Sequence, residues 1–360
     1  MTTRPILATI NSNALKNNFK IIKNIVGKSK IWSVLKANAY GHGIKNIFPI
    51  LKKSDGFAVL TLEEAIILRK NGCNKPILLL EGFFSKKDLY LIYKYYLTIT
   101  IHNKWQMKIL IQYKSYYPLN IYIKINSGMN RLGFLPKNIN NIINILKANV
   151  NIQNITLMTH FADASKNSHS VFKQLKIIKK NIYNYRNFTC SFANSAATLW
   201  HSYTHYDWIR VGIVLYGASP TGNWKDISKK KIQPVMTLKS KIISIQKIKS
   251  GQTIGYNCTY SVKTKRKIGI IACGYADGYP KNINNETFVF IKGIKTKILG
   301  NICMDMLAID LKNIPTAKIG NSVELWGNNI KIDNVAKSAN TTGYELMCSL
   351  SQRVPRQIIK

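Results

Sequence analysis

The chain has 360 residues, 46% of them hydrophobic, which is enough for two domains or one large barrel with an appendage and excludes disorder over its whole length. Lys and Arg number 53 against 15 Asp and Glu, a formal net charge of +38. The cations are spread over every predicted helix with no basic tail, and Lys shares A/T-rich codons with the abundant Ile and Asn, so codon bias accounts for the excess better than a nucleic-acid footprint does. No apolar run approaches the roughly 18 residues that cross a bilayer, and the first five residues hold no apolar leader core. The expectation is a soluble, cytoplasmic protein with no membrane partner and no specific nucleic-acid partner.

An opening apolar run at 6–10 can belong to either of two domains. From residue 31 onward, eight short apolar runs alternate with helical patterns: 31–36, 56–60, 77–81, 97–101, 121–125, 154–160, 188–194 and 208–212. The segment 61–71 reads as a helix closed by Gly72. Ser85 and Asp88 have the spacing of a helix start, and Pro136 suits a first helical turn. Eight buried strands alternating with helices predict an α/β fold, a (β/α)8 TIM-like barrel over residues 1–231. An open doubly wound sheet is the alternative, but no G-x-G-x-x-G turn supports it. After residue 231 the texture changes. Apolar runs at 235–248, 267–273, 287–291, 297–299, 306–311 and 322–326, separated by Gly, Asn and Lys, predict a C-terminal mainly β domain over 232–360.

A barrel carries its active site at the C-terminal ends of its strands, so the polar residues there are the candidates. The first run ends Lys36-Ala37-Asn38-Ala39-Tyr40-Gly41-His42-Gly43. A lone Lys in so basic a chain is usually a surface residue, but at this position it is a candidate Schiff-base lysine. The fifth run leads into Asn126–Gly133, where two glycines permit close backbone approach and Arg131 can clamp an anion; the plainer reading is a structural turn with a solvated Arg. The sixth run ends at His160, which is either a satisfied core residue or a participant in the chemistry. Ser195 opens a helix after the seventh run, and Arg210, Gly212 and Ile213 follow the eighth. Loops after the last two strands form the usual phosphate site of such barrels. A phosphate and a lysine-bound carbonyl in one mouth describe pyridoxal 5′-phosphate. The six cysteines form no C-x-x-C pair, so no metal site is expected.

The segments SVLKANAYGHG, NSGMNRLGF, THF, ANSAATL, RVGIVLYG, GYNCTY, GYADGYP, NICMDM and RVPR, in that order across nearly the whole chain, resemble the alanine racemase family. The resemblance implies a pyridoxal-phosphate barrel plus a β domain, in a head-to-tail homodimer whose β domains complete each other's sites. It implies that Lys36 carries the cofactor and that Tyr40, Ser195, Gly212 and Ile213 hold its phosphate. Arg210 would face the pyridine nitrogen, and His160 would support Arg210 and contact the catalytic tyrosine. Tyr256, from the other subunit, would be the second base. Arg131 and the backbone at Met304 would bind the carboxylate of alanine, and Tyr275 would line the access channel. Lys124 matches a lysine that is carbamylated in some members. Gln352, Asn301 and Lys281 depart from residues common in the family, all in the gate rather than at the proton-transfer centre.

The residue types suit the chemistry. Racemisation removes an α-proton from one face and returns one to the other, so it needs two bases on opposite faces. Lys36 would serve the D enantiomer and Tyr256 the L enantiomer. An Arg opposite the pyridine nitrogen discourages its protonation and weakens the electron sink, which limits side reactions such as transamination. The function read from these residues is supply of D-alanine for peptidoglycan. The alternatives are an amino-acid decarboxylase of similar plan, which should place Glu rather than Arg210 at the ring nitrogen, and a cofactor-binding protein with little turnover.

Overall fold

The structure is a computed structural model and describes residues 3–114, 117–284 and 286–360. The chain divides into two compact units. One comprises Phe19–Ala39 and Ile44–Gly212; the other comprises the segment ending at Asn18, Tyr40–Gly43 and Ile213–Lys360.

Strand β1 (Leu7–Asn11) belongs to the second unit, and the next eight strands build the first: β2 (Lys30–Val34), β3 (Gly56–Val59), β4 (Ile77–Leu79), β5 (Thr98–Ile101), β6 (Leu119–Lys124), β7 (Ile152–Met158), β8 (Thr189–Ser191) and β9 (Trp208–Val211). They coincide with the eight apolar runs. They pair in the order β8-β7-β6-β5-β4-β3-β2-β9, all in parallel. The Arg210 N–H donates to the Ala193 carbonyl at 2.9 Å and joins the two ends of the sheet. The result is a closed (β/α)8 barrel. Its interior is packed with side chains: Trp32, 2% exposed, stacks on Trp208 with ring centroids 4.3 Å apart and donates to Tyr122 Oη at 2.9 Å. Gly56 leaves room for that indole, since a Cβ there would lie 2.4 Å from the Trp32 ring.

The connecting helices start and stop where local chemistry dictates. Thr61 Oγ1 accepts the Glu64 N–H and caps Leu62–Lys70, and Gly72 leaves that helix at φ +84°. Pro136 opens a 3₁₀ turn, Pro136–Asn138, that runs into the helix Ile139–Lys147. Before Asp88–Lys94 only half of the expected capping box forms: the Asp88 carboxylate accepts the backbone N–H groups of Phe84 and Ser85 and the Ser85 hydroxyl, while no side chain caps the helix N–H groups. The Ser85 hydroxyl donates to that carboxylate, a charge-assisted bond, instead of accepting from the helix.

The second unit is built on antiparallel strands. β10 (Met236–Ile248) is 13 residues long and is followed by β11 (Thr253–Ile254), β12 (Tyr260–Ser261), β13 (Arg266–Ile271), β14 (Phe288–Ile291), β15 (Ile294–Leu299), β16 (Leu307–Asp310), β17 (Ser322–Trp326) and β18 (Arg356–Ile359). The main sheet runs β13-β16-β15-β14-β17-β10-β1-β18, and β10 pairs also with β13, which curls six of the strands into a closed sheet. A register shift between Ile242 and Ser244 lets β10 change partner from β17 to β13. The 6–10 run therefore sits in this sheet, β1 pairing antiparallel to β10 and parallel to β18. The helices Ile332–Ser338 and Gly343–Ser349 lie outside the predicted β texture. No helix among the described residues is long and apolar enough to cross a membrane.

Candidate active site

In the barrel unit, Lys36 lies two residues past the end of β2 and begins an unusual turn. Ala37, Asn38, Ala39 and Tyr40 all adopt left-handed helical torsions, with φ between 51 and 55°. L-residues in this conformation cost roughly 1–2 kcal/mol each, so the four together store roughly 4 kcal/mol or more that contacts must offset. The Ala39 N–H donates to the Leu35 carbonyl at 2.7 Å. The Glu64 carboxylate accepts the N–H groups of Asn38 and Leu60, each at 3.0 Å, and the Asn38 amide oxygen accepts the Ile44 N–H at 2.9 Å. These bonds lock the half-buried lysine at the barrel mouth.

Arg210, on β9, is 5% exposed. Its guanidinium donates to Ser191 Oγ at 2.8 Å and to the carbonyls of Ser191, Thr159 and Phe192. Among the described residues it has no carboxylate partner. Burial pushes it down to about 10, so it remains a cation at neutral pH. His160, at the end of β7, is held well below its ordinary value by burial first and then by the charges of Arg210, Lys124, Arg131 and Lys36. The imidazole is neutral. Arg210 bonds to the Thr159 carbonyl rather than to the His160 ring, so the two side chains are linked through main chain. Lys124, ending β6, is pushed down to about 7, mainly by burial and then by Arg210, Arg131 and Lys36, with Glu81 opposing.

Arg131 is exposed on the Asn126–Gly133 loop. The Asn126 amide oxygen accepts the N–H groups of Gly128 and Asn130, and Gly133 at φ +120° leaves no room for a Cβ, which would meet Asn126 N at 2.7 Å. Gln174, 3% exposed, donates to Ser127 Oγ at 2.9 Å and to the His160 carbonyl at 3.1 Å, and accepts the Ala162 N–H at 2.9 Å. It ties the Arg131 loop to the His160 strand end. A small cavity at this point is lined by Lys124, Asn126, Met129, Arg131 and His160.

Ser195 opens the short helix Ser195–Trp200, capped by Asn194, whose side chain accepts the Ala197 N–H at 3.0 Å. Ser195 Oγ accepts the Gly212 N–H at 3.0 Å. That leaves the Ser195 hydroxyl proton for another acceptor, and makes Gly212 a residue that aligns Ser195.

In the second unit, Tyr40 is 6% exposed, with its ring centroid 4.8 Å from that of Tyr216 and 6.0 Å from that of Tyr344. Burial, and then Tyr344 and Cys348, push its phenol far above the ordinary value, so it stays a proton donor. Arg356 braces the turn after it, donating to the carbonyls of Gly41 at 3.1 Å and Leu350 at 2.7 Å. Ile213 is fully buried and its carbonyl accepts the Tyr216 N–H. Tyr256, Tyr275 and Met304 are 70, 38 and 53% exposed. Tyr256 sits between Gly255 at φ +78° and Asn257 at φ +62°, and its carbonyl accepts the Asn301 side-chain amide at 3.2 Å. Lys281 places its ammonium 5.6 Å from the Tyr275 ring centroid, a cation–π contact.

The barrel unit thus gathers Lys36, Lys124, His160, Ser195, Arg210 and Gly212 at its strand ends with Arg131 on the adjoining loop, while Tyr40, Ile213, Tyr256 and Met304 lie in the other unit. Sequence reasoning missed Glu64, Gln174 and Asp277. Glu64 carries a local mark, the Thr61-x-x-Glu64 spacing of a capping box, but nothing in that spacing points to its bond with Asn38; Gln174 lies within a helix without any such mark, and Asp277 matters through partners remote in sequence.

Residues 10–220 match the family model described as alanine racemase, N-terminal domain, and residues 235–358 the one described as alanine racemase, C-terminal domain. An alanine racemase of Erwinia tasmaniensis is 51% identical over 357 residues, covering 99% of each chain. The biosynthetic alanine racemase of Pseudomonas aeruginosa superposes with a TM-score of 0.95 at 35% identity, covering 99% of this chain and all of that one. The alanine racemase of Bartonella henselae with covalently bound pyridoxal phosphate superposes at 0.88 with 26% identity, covering 99% of each. This chain belongs to the alanine racemase family.

Proposed function

We propose that this protein interconverts L- and D-alanine with pyridoxal 5′-phosphate, as a cytoplasmic homodimer with shared sites, and supplies D-alanine for peptidoglycan. The observation that carries the reading is Lys36 on its left-handed turn, an amine held at the barrel mouth by otherwise costly backbone. The residues present fit the cofactor. Lys36 Nζ suits its aldehyde, the uncommitted Ser195 hydroxyl proton and the protonated Tyr40 phenol suit its phosphate, and the Arg210 guanidinium, with no carboxylate beside it, suits an unprotonated ring nitrogen. When bound, the cofactor draws electrons away from the α-carbon of an amino acid attached to it.

The rest falls to this chain's residues. Lys36 Nζ takes or returns the α-proton on one face, and Tyr256 Oη, from the partner subunit, does so on the other. Ser195, aligned by Gly212, holds the phosphate with Tyr40 and the backbone at Ile213. Arg210 keeps positive charge at the ring nitrogen and thereby restrains side reactions. Neutral His160 stays by Arg210 without adding a second charge. Arg131 and the partner's Met304 backbone take the substrate carboxylate. Lys124, poised near neutrality, is the form that carbon dioxide can convert to a carbamate, and an anion there would hold Arg131 in place. The exposure of Tyr256 and Met304 on a single subunit supports completion of the site by a second copy. Borohydride reduction followed by peptide mapping should place the cofactor mass on Lys36, and a D-amino-acid-oxidase-coupled assay should register D-alanine made from L-alanine. A label on another lysine, or no turnover, refutes the reading.

A further inference from the structure

Asp277 has no solvent exposure and sits beneath the surface that carries Tyr256, Tyr275 and Met304. Its carboxylate accepts Arg353 Nε at 2.7 Å, an Arg4 guanidinium nitrogen at 3.0 Å and the Gly274 N–H at 2.9 Å. Arg353 reaches on to Asp305 Oδ1 at 2.5 Å, and Arg4 donates also to the Asp305 carbonyl at 3.0 Å. Two arginines from opposite ends of the chain thus clamp two loops, 274–279 and 301–306. The loops are zipped directly as well. The Tyr275 N–H donates to the Cys303 carbonyl at 3.1 Å and the Ala276 N–H to the Met304 carbonyl at 3.0 Å. A Cβ at Gly274 would lie 2.2 Å from that Met304 carbonyl, so no other residue would let the two backbones approach this closely. Asn301, on the same loop, holds the Tyr256 carbonyl.

We infer that the Arg4–Asp277–Arg353–Asp305 chain is the positioning device for the substrate-carboxylate contact, fixing the Met304 amide relative to Tyr256 and Tyr275. The inference rests on the racemase reading. A buried carboxylate with two guanidinium partners has few ways to rearrange, because losing either partner leaves charge unmatched in the interior. It therefore sets loop positions more tightly than exposed loops would set their own. A carboxylate contact made equally in ground and transition states acts mainly on KM, and displacement by about 1 Å is enough to weaken it markedly.

The test uses the full-length holoenzyme at concentrations where it is dimeric. Arg353→Lys keeps the charge but loses the forked geometry, Asp305→Asn breaks the outer link alone, and Asp277→Asn removes the centre. For Arg353→Lys and Asp305→Asn, KM for alanine should rise about tenfold with kcat changed by less than about threefold. Binding of propanoate, a carboxylate without the amine, followed by calorimetry, should weaken by a similar factor while cofactor content per subunit stays constant. Unchanged propanoate affinity in both variants overturns the inference. So does a loss confined to kcat, or a KM defect that vanishes at high protein concentration, which would assign the chain to subunit association. Should Asp277→Asn fail to fold, the two milder variants decide. Absence of turnover in the unaltered protein would refute the racemase reading instead, and propanoate calorimetry would still separate the two.

Discussion

Arg210 donates a hydrogen bond of 2.6 Å to the carbonyl of Thr159, the residue before His160, so this buried guanidinium of the barrel mouth is anchored to the strand end that carries the imidazole. Every hydrogen bond that Arg210 makes to the barrel goes to a neutral oxygen, which leaves its charge uncancelled.

Replacing Arg210 by Glu should therefore invert the local field. The ring nitrogen of the cofactor would then hold a proton, and racemisation should fall by about a hundredfold or more, in line with the loss of a preorganised charge in a dry site. Pyruvate formation from alanine, measured by coupling to lactate dehydrogenase, should rise relative to racemisation. An unchanged ratio of the two products would separate Arg210 from control of the side reaction.

Single substitutions of either base should cripple racemisation in both directions. Tyr256→Phe should retain slow α-proton exchange into solvent from D-alanine and lose exchange from L-alanine, as proton NMR in deuterated buffer would record. Mixing Lys36→Ala and Tyr256→Phe proteins should restore part of the activity, because under the proposed shared-site arrangement a mixed dimer would hold one intact site. Failure to complement, with subunit exchange demonstrated, would assign the second base to the same chain.

Lys124 links stability to pH. Its folded value of about 7 lies below its ordinary value of 10.5, so between those limits the unfolded chain binds a proton that the folded chain does not. Stability of the cofactor-free protein in carbonate-free buffer should rise with pH across that window and lose this contribution below it. Lys124→Met should flatten the slope and raise Tm at pH 6. A parallel pH dependence in both proteins, measured by thermal melts, would exclude Lys124 as its origin.

The turn after Lys36 separates two kinds of left-handed residue. Ala37→Gly relieves about 1 kcal/mol of local strain and loses about as much to unfolded-chain entropy, so urea unfolding should report a change within about 0.5 kcal/mol. Gly41→Ala, at φ +73°, would place a Cβ 1.9 Å from the Met347 carbonyl, a backbone atom that cannot step aside. It should destabilise by about 3 kcal/mol or more. Equal effects of the two substitutions would mean that strain at the turn, rather than the close approach, governs stability.

The local sequence determined the strands and most of the chemistry of this protein. Alternation of eight apolar runs with amphipathic segments demands buried strands covered by helices, and parallel strands so connected have few ways to close. Lys36, His160, Ser195 and Arg210 were visible because a barrel puts its strand ends in one mouth, so position along the chain translates into position in space. Tertiary structure alone decided the rest. Burial and neighbouring cations bring Lys124 near neutrality, a property of the assembled mouth and of no segment. Gln174 acts through Ser127 and the segment at His160–Ala162, Glu64 through the Asn38 N–H on the turn after Lys36, and Asp277 through arginines 273 residues before it and 76 after it. Such residues carry no local signature, because a buried polar group takes its meaning from the partners that satisfy it, and those are chosen by the fold.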